Sequence, residues 1–229
     1  MSPQHMTRSA TVAGATGLVG GHILRKLLAD TTVQEVHALT RRPLGFDHPK
    51  LRVQVVDFTS LPVLPRTDEL YLALGTTIKV AGSQAAFRAV DFDANLAVAV
   101  AAQKAGVQRV GLVSAVDANS QSSTFYNRVK GELEDALRAL AFKGLVIAQP
   151  SLLLDHRQGL NQPIRWGERM AIPIAKLISP ILPGKYQPVS AQAVAQALIK
   201  TVPQSEGITI LPSNALIQMG TSASNSVTT

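Results

Sequence analysis

The chain has 229 residues, 46% of them hydrophobic and 16% charged, enough for one α/β domain with a sizeable core. It contains no cysteine, which excludes disulfides and thiolate metal sites and is compatible with a reducing compartment. The formal charge is +7, yet the longest basic run is Arg41-Arg42 and aromatics are only 4%, so neither a basic stripe nor a base-stacking platform is present.

In chain order, apolar runs of strand length alternate with helix-length periodic segments, the pattern of a doubly wound parallel sheet with crossover helices. Strands are expected at Ser9–Ala13, Val36–Thr40, Val53–Val56, Leu70–Leu74, Val110–Ser114, Val146–Gln149 and Ile208–Leu211. Helices are expected at Leu18–Ala29, Phe92–Gly106, Phe125–Ala141, Ile164–Ile178 and Ala191–Val202. The most apolar stretch, Leu96–Val116, is interrupted by Gln103, Lys104, Gln108 and Arg109, so it reads as buried helix and strand, with no membrane span. Residues 1–212 form the expected domain, with residues 152–189 covering a substrate and residues 213–229 as a flexible tail ending in a small polar string. The first ten residues lack an apolar signal core, and the expected location is cytoplasmic.

The first strand runs into Gly14-Ala15-Thr16-Gly17-Leu18-Val19-Gly20, with glycines at three-residue spacing. Gly14 permits a tight turn, Gly17 lets backbone approach a pyrophosphate, and Gly20 lets helix pack on strand. The unbonded N–H groups at the helix start, with its dipole, suit phosphate oxygens. An isolated string of this kind marks an ordinary turn about as often as a nucleotide site; here it stands at the first strand–helix junction of an alternating chain.

A site preferring NAD places a carboxylate at the end of the second strand, against the ribose 2′-hydroxyl. This chain has Leu39-Thr40-Arg41-Arg42-Pro43 there. Two guanidiniums suit a 2′-phosphate, and the expected cofactor is NADP(H), with a solvated basic loop as the plainer alternative.

Tyr126 and Lys130 lie four residues apart on a predicted helix, hence on one face. Ser114 stands twelve residues before Tyr126, at the end of the fifth strand, on the edge where such sheets bind ligands. Hydride transfer between a nicotinamide and a carbonyl builds negative charge on oxygen and needs a proton. A phenol ordinarily titrates near pH 10, and a neighbouring ammonium favours its ionised form. Tyr126 is therefore expected to act as acid or base, Lys130 to assist it, and Ser114 to donate a hydrogen bond to the carbonyl oxygen. The plainer alternatives are a half-buried aromatic and a solvated charge.

The glycine string resembles the cofactor loop of extended and atypical short-chain dehydrogenases. Tyr126-Asn-Arg-Val-Lys130-Gly-Glu-Leu-Glu134, Gln149-Pro-Ser-Leu-Leu-Leu, Gly167-Glu and Tyr186-Gln-Pro-Val resemble the group of Tat-interacting oxidoreductases. The resemblance implies that Asp57 meets the adenine amino group, that Gly75, Thr76 and Thr77 lie along the adenosine and ribose, and that Lys130 also holds the nicotinamide ribose. Asp57 alone would more often be a turn former. One departure is Asp91, where many relatives carry an Asn that supports a water-linked proton relay.

His156, Arg157, Asn161, Arg165, Trp166, Arg169 and Lys185 fall in the substrate-covering stretch, where three arginines would suit an acidic substrate or merely carry surface charge. The five histidines show no metal spacing, and no metal is expected. The expected function is an NADP(H)-dependent oxidoreductase acting on a small carbonyl or alcohol through Ser114, Tyr126 and Lys130. The alternative is an NADPH-binding sensor or assembly protein without turnover. A small-molecule substrate is the expected partner, with no nucleic acid and no membrane, and the chain is expected as a monomer or homodimer.

Overall fold

A computed structural model describes residues 7–154 and 183–221. Seven strands form one sheet in the order β3-β2-β1-β4-β5-β6-β7, every neighbouring pair parallel. They are β1 Arg8–Ala13, β2 Val33–Thr40, β3 Leu51–Val55, β4 Glu69–Leu72, β5 Arg109–Val113, β6 Gly144–Gln149 and β7 Gly207–Pro212. The helices are α1 Leu18–Ala29, α2 Ile78–Ala81, α3 Gln84–Arg88, α4 Asn95–Lys104, α5 Phe125–Ala139, α6 Ala191–Thr201 and α7 Ser213–Thr221.

Side-chain alternation divides the core in two. On one face Val12, Tyr71, Val146 and Ala148 pack with Ile23, Leu24, Leu27 and Leu28 of α1 and with Val194 and Leu198 of α6. On the other, Ala13, Leu70, Leu72, Val110, Leu112 and Ile147 pack with Val98 of α4 and Leu133 and Leu137 of α5. Each such buried aliphatic contributes roughly 1.5–3 kcal/mol. Strands covered on both faces need continuous apolar runs, which is why β4 and β5 read so clearly.

Two expectations change. The helical stretch expected from Phe92 begins well upstream: α2 and α3 precede a π-helical turn, Ala89–Ala94, that leads directly into α4. Apolar periodicity does not register helices this short, which are started by polar caps. The Thr77 and Ser83 side chains accept from Val80 N and Ala86 N, respectively. Residues 213–221 are not a flexible tail but the helix α7, because Leu216 is fully buried and Gly220 lies so close to Ala193 of α6 that a Cβ there would collide. The expected helix Ile164–Ile178 lies outside the described residues.

Beyond β6, Leu153 bridges Val189, and the Ser151 hydroxyl donates to the carbonyls of Tyr186 and Gln187. The two ends flanking residues 155–182 are thereby held side by side. Among the described residues no helix is long and apolar enough to cross a membrane.

Candidate functional site

The strand order reverses between β1 and β4, and the crevice at the C-terminal ends of these strands is where a doubly wound sheet binds its ligand. Gly14 sits there at φ +93°, and a Cβ on it would run into the Ala73 carbonyl and the Leu74 amide. Gly17 N donates to Gly14 O at 2.8 Å, closing the turn that starts α1. A Cβ on Gly20 would strike the Gly14 carbonyl, so the helix packs directly on its own turn. Ala15 and Val19 are buried beneath the loop, while Thr16 is exposed and Leu18 half-buried. Gly17, the N-cap, offers no side-chain acceptor, and the first N–H groups of α1, from Leu18 onward, stay open for an anion. The residues present therefore fit a dinucleotide pyrophosphate.

Arg41 and Arg42 follow β2 on the same edge, both exposed, with no ion-pair partner among the described residues. Asp57, after β3, is fully exposed, and its Oδ1 accepts from the amide and hydroxyl of Thr59 at 2.8 and 2.7 Å. Those two bonds hold its carboxyl below the usual range. Through Oδ1 it closes the turn that follows β3.

After β4, Gly75 is exposed and Thr76 half-buried. Thr76 N donates to Asp91 Oδ2 at 2.8 Å, and Asp91 Oδ1 lies 2.7 Å from Lys130 Nζ. Both charged side chains are buried, Asp91 at 1% and Lys130 at 6% exposure. A Cβ on Gly75 would stand 3.5 Å from Asp91 Oδ1 and 3.9 Å from Lys130 Nζ, so Gly75 forms the open wall over the pair. Tyr126, one helical turn before Lys130, packs against the buried Phe87 ring with centroids 5.5 Å apart. Its hydroxyl makes no hydrogen bond among the described residues.

Ser114 has its own partner. Its hydroxyl donates to Glu134 Oε1 at 2.5 Å, and Glu134 also accepts from Gln149 Nε2 and from Arg138 Nη2 at 3.0 Å. Glu134 lies eight residues beyond Tyr126 on α5, about 12 Å along the axis. The reason is alternation: Val110, Leu112 and Ser114 point to the same face of the sheet, and Ser114 meets the body of α5 rather than its first turn. Sequence reading assigned Ser114 the carbonyl oxygen as partner; in the structure its hydroxyl donates to Glu134. It also missed Glu134 as a hub and Asp91 as the direct partner of Lys130.

Of the residues expected to cover a substrate, Lys185 pairs with Asp117 at 2.8 Å and sits over the Tyr186 ring. His156, Arg157, Asn161, Arg165, Trp166 and Arg169 lie outside the described residues.

The glycine cradle, the open helix start and the buried Lys130 pair on one sheet edge define a nucleotide-binding Rossmann protein of the short-chain-dehydrogenase type. The family model described as NAD(P)H-binding matches residues 14–162, and the chain belongs to that family. Its relatives include "Protein FMP52-1, mitochondrial" of Scheffersomyces stipitis, 36% identical over 156 residues, which are 66% of this chain and 69% of that protein. "Protein fmp52, mitochondrial" of Aspergillus fumigatus is 34% identical over 230 residues, covering 93% of this chain and 98% of that protein. Among solved structures, a short chain dehydrogenase family protein from Francisella tularensis superposes with TM-score 0.66 at 13% identity, covering 91% of this chain and 98% of that one. MoeE5 in complex with UDP-glucose and NAD does so with TM-score 0.65 at 17% identity, covering 94% and 81%. At these identities the structural likeness concerns the fold.

The expected cytoplasmic location is corrected by these relatives, which are named mitochondrial. The expectation rested on a missing apolar signal core, whereas mitochondrial presequences are amphipathic and basic and contain no such core.

Proposed function

We propose that the protein is an NADP(H)-dependent oxidoreductase that moves a hydride to or from a small carbonyl or alcohol. The observation that carries this reading is the buried Lys130, held 2.7 Å from Asp91 beneath Gly75 and one helical turn from Tyr126. Gly14 through Val19 would hold the pyrophosphate, Arg41 and Arg42 the 2′-phosphate, and Lys130 the ribose next to the nicotinamide. When bound, the nicotinamide supplies or accepts the hydride. Tyr126 then gives its phenolic proton to the carbonyl oxygen in reduction and takes one from the alcohol in oxidation. Lys130 orients both the phenol and the cofactor. Ser114, engaged by Glu134, braces α5 and so holds Tyr126 and Lys130 over the sheet.

A second reading, NADPH binding without turnover, is favoured by that same engagement, since it withdraws the hydroxyl expected to steady the carbonyl oxygen. One experiment separates the two. Nicotinamide fluorescence is titrated with NADPH and NADH for wild type and Arg41→Ala/Arg42→Ala, followed by a carbonyl-substrate screen with Tyr126→Phe as control. NADPH affinity in the arginine variant should fall about 10–100-fold, the loss of one or two charge-assisted hydrogen bonds, with NADH little changed. Turnover abolished in Tyr126→Phe, with NADPH binding intact, supports the enzyme; binding without any turnover supports the sensor. Binding of neither nucleotide ends both readings.

A further inference from the structure

The π-helical turn at Ala89–Ala94 stands where the chain passes from α3 into α4, and Asp91 lies within it. Such wide turns are rare in proteins and frequent at functional sites. They break the regular carbonyl ladder, so some carbonyls must find other donors. Here the Asn95 backbone N–H bonds to the Phe92 carbonyl, and the Asn95 side-chain amide reaches three further carbonyls. Its Nδ2 lies 3.2 Å from Val90 O, 3.1 Å from Asp91 O and 3.1 Å from Leu74 O. One amide thus ties the wide turn to the chain leaving β4, between the two segments that meet at Lys130.

Asn95 is 1% exposed, and its Oδ1 has no hydrogen-bond partner among the described residues. A buried acceptor left unpaired costs about 1–3 kcal/mol. Against that cost stand the three carbonyl contacts of Nδ2, two of them within the turn itself. The turn in question delivers the carboxylate that touches Lys130 Nζ and Thr76 N.

We propose that Asn95 is a positioning residue of the site, acting through the π-helical turn and Asp91 to fix the ammonium of Lys130. The consequence for catalysis rests on the hydride-transfer reading above; the consequence for Lys130 itself does not. Asn95→Ala frees the turn, lets Asp91 withdraw, and leaves Lys130 mobile. A misplacement of about 1 Å in a reacting group lowers turnover by about 100-fold, and the effect falls on kcat more than on KM for the carbonyl.

The test labels lysines of the intact protein by reductive methylation, with the half-exposed Lys143 as internal reference. Lys130 should resist labelling in wild type and in Asp93→Asn, an exposed carboxylate of the same turn, and react several-fold faster in Asn95→Ala. In a double-mutant cycle, Asn95→Ala added to Asp91→Asn should cause little further change in labelling or kcat, because both act on one contact. Should Asn95→Ala fail to fold, Asn95→Ser, which retains one donor, is read in its place. Equal Lys130 protection in wild type and variant overturns the assignment, as does additivity with Asp91→Asn. If wild type shows no turnover, the hydride-transfer reading fails alone, and the labelling still decides the role of Asn95.

Discussion

The protein buries charge at both edges of its sheet, and the two clusters are built differently. At the N-terminal edge Arg8 donates to both oxygens of Glu69, at 2.7 and 2.6 Å, and to Asp30 at 2.6 Å, while the Tyr71 hydroxyl donates to Glu69 at 2.7 Å. That cluster is closed on itself and joins the starts of β1 and β4 to the end of α1. At the C-terminal edge the Lys130–Asp91 pair lies against Gly75, with Tyr126 one helical turn before Lys130 on α5. Burial and ion pairing alone therefore do not mark a functional site here. The difference is that one cluster ties Arg8, Asp30, Glu69 and Tyr71 to one another, whereas the other lies against the exposed Gly75 at the ligand edge of the sheet.

The sharpest way to break this comparison is to remove Glu69. Glu69→Ala leaves Arg8 with Asp30 as its remaining carboxylate and the buried Tyr71 hydroxyl without its acceptor, and should cost about 3 kcal/mol in urea denaturation. NADPH affinity of the folded fraction should stay at the wild-type value; a parallel loss of affinity would mean that the two edges are coupled.

Ser114→Ala gives a smaller effect and sharpens the assignment at the other edge. As a brace on Glu134, Ser114 is worth about 1–2 kcal/mol of stability, with turnover reduced less than about tenfold. A hydroxyl that steadied the carbonyl oxygen would cost about 100–1,000-fold in kcat when removed. Steady-state kinetics with a thermal melt distinguishes the two.

The smallest effect concerns pH. Although partial burial pushes the Asp30 carboxyl up, the Thr32 hydroxyl and amide and the Arg8 guanidinium outweigh it and hold the group below its ordinary value. A depressed carboxyl contributes stability that is present above the unfolded value, near 4, and is lost as pH falls through the folded value. Asp30→Asn should therefore flatten the decline of Tm below about pH 4.

Much of the fold is legible in the sequence because its signals are local. The helix Leu18–Ala29 follows from its apolar spacing and the glycines before it, and β4 and β5 from short apolar runs. The site is legible where it depends on spacing along one helix, as with Tyr126 and Lys130. It is not legible where partners come from distant segments. Ser114 and Glu134 are twenty residues apart, and the wide turn at 89–94 depends on a contact from Asn95 back to Leu74. One available signal went unread: period-two alternation from Val110 through Leu112 already directs Ser114 toward the face that α5 covers.

The bridge between Leu153 and Val189, with Ser151 bonded to the carbonyls of Tyr186 and Gln187, has a consequence for how such a protein can change. The described ends on either side of positions 155–182 thus meet at one spot beside the sheet. Doubling the length of chain between two such fixed ends costs only about 0.6 kcal/mol in closure entropy. Two ends pinned to each other in this way make the spacing of β6 and α6 independent of how much chain lies between them. Chain of other lengths can then be accepted between these two ends without rebuilding the strand–helix turn that carries the glycine cradle.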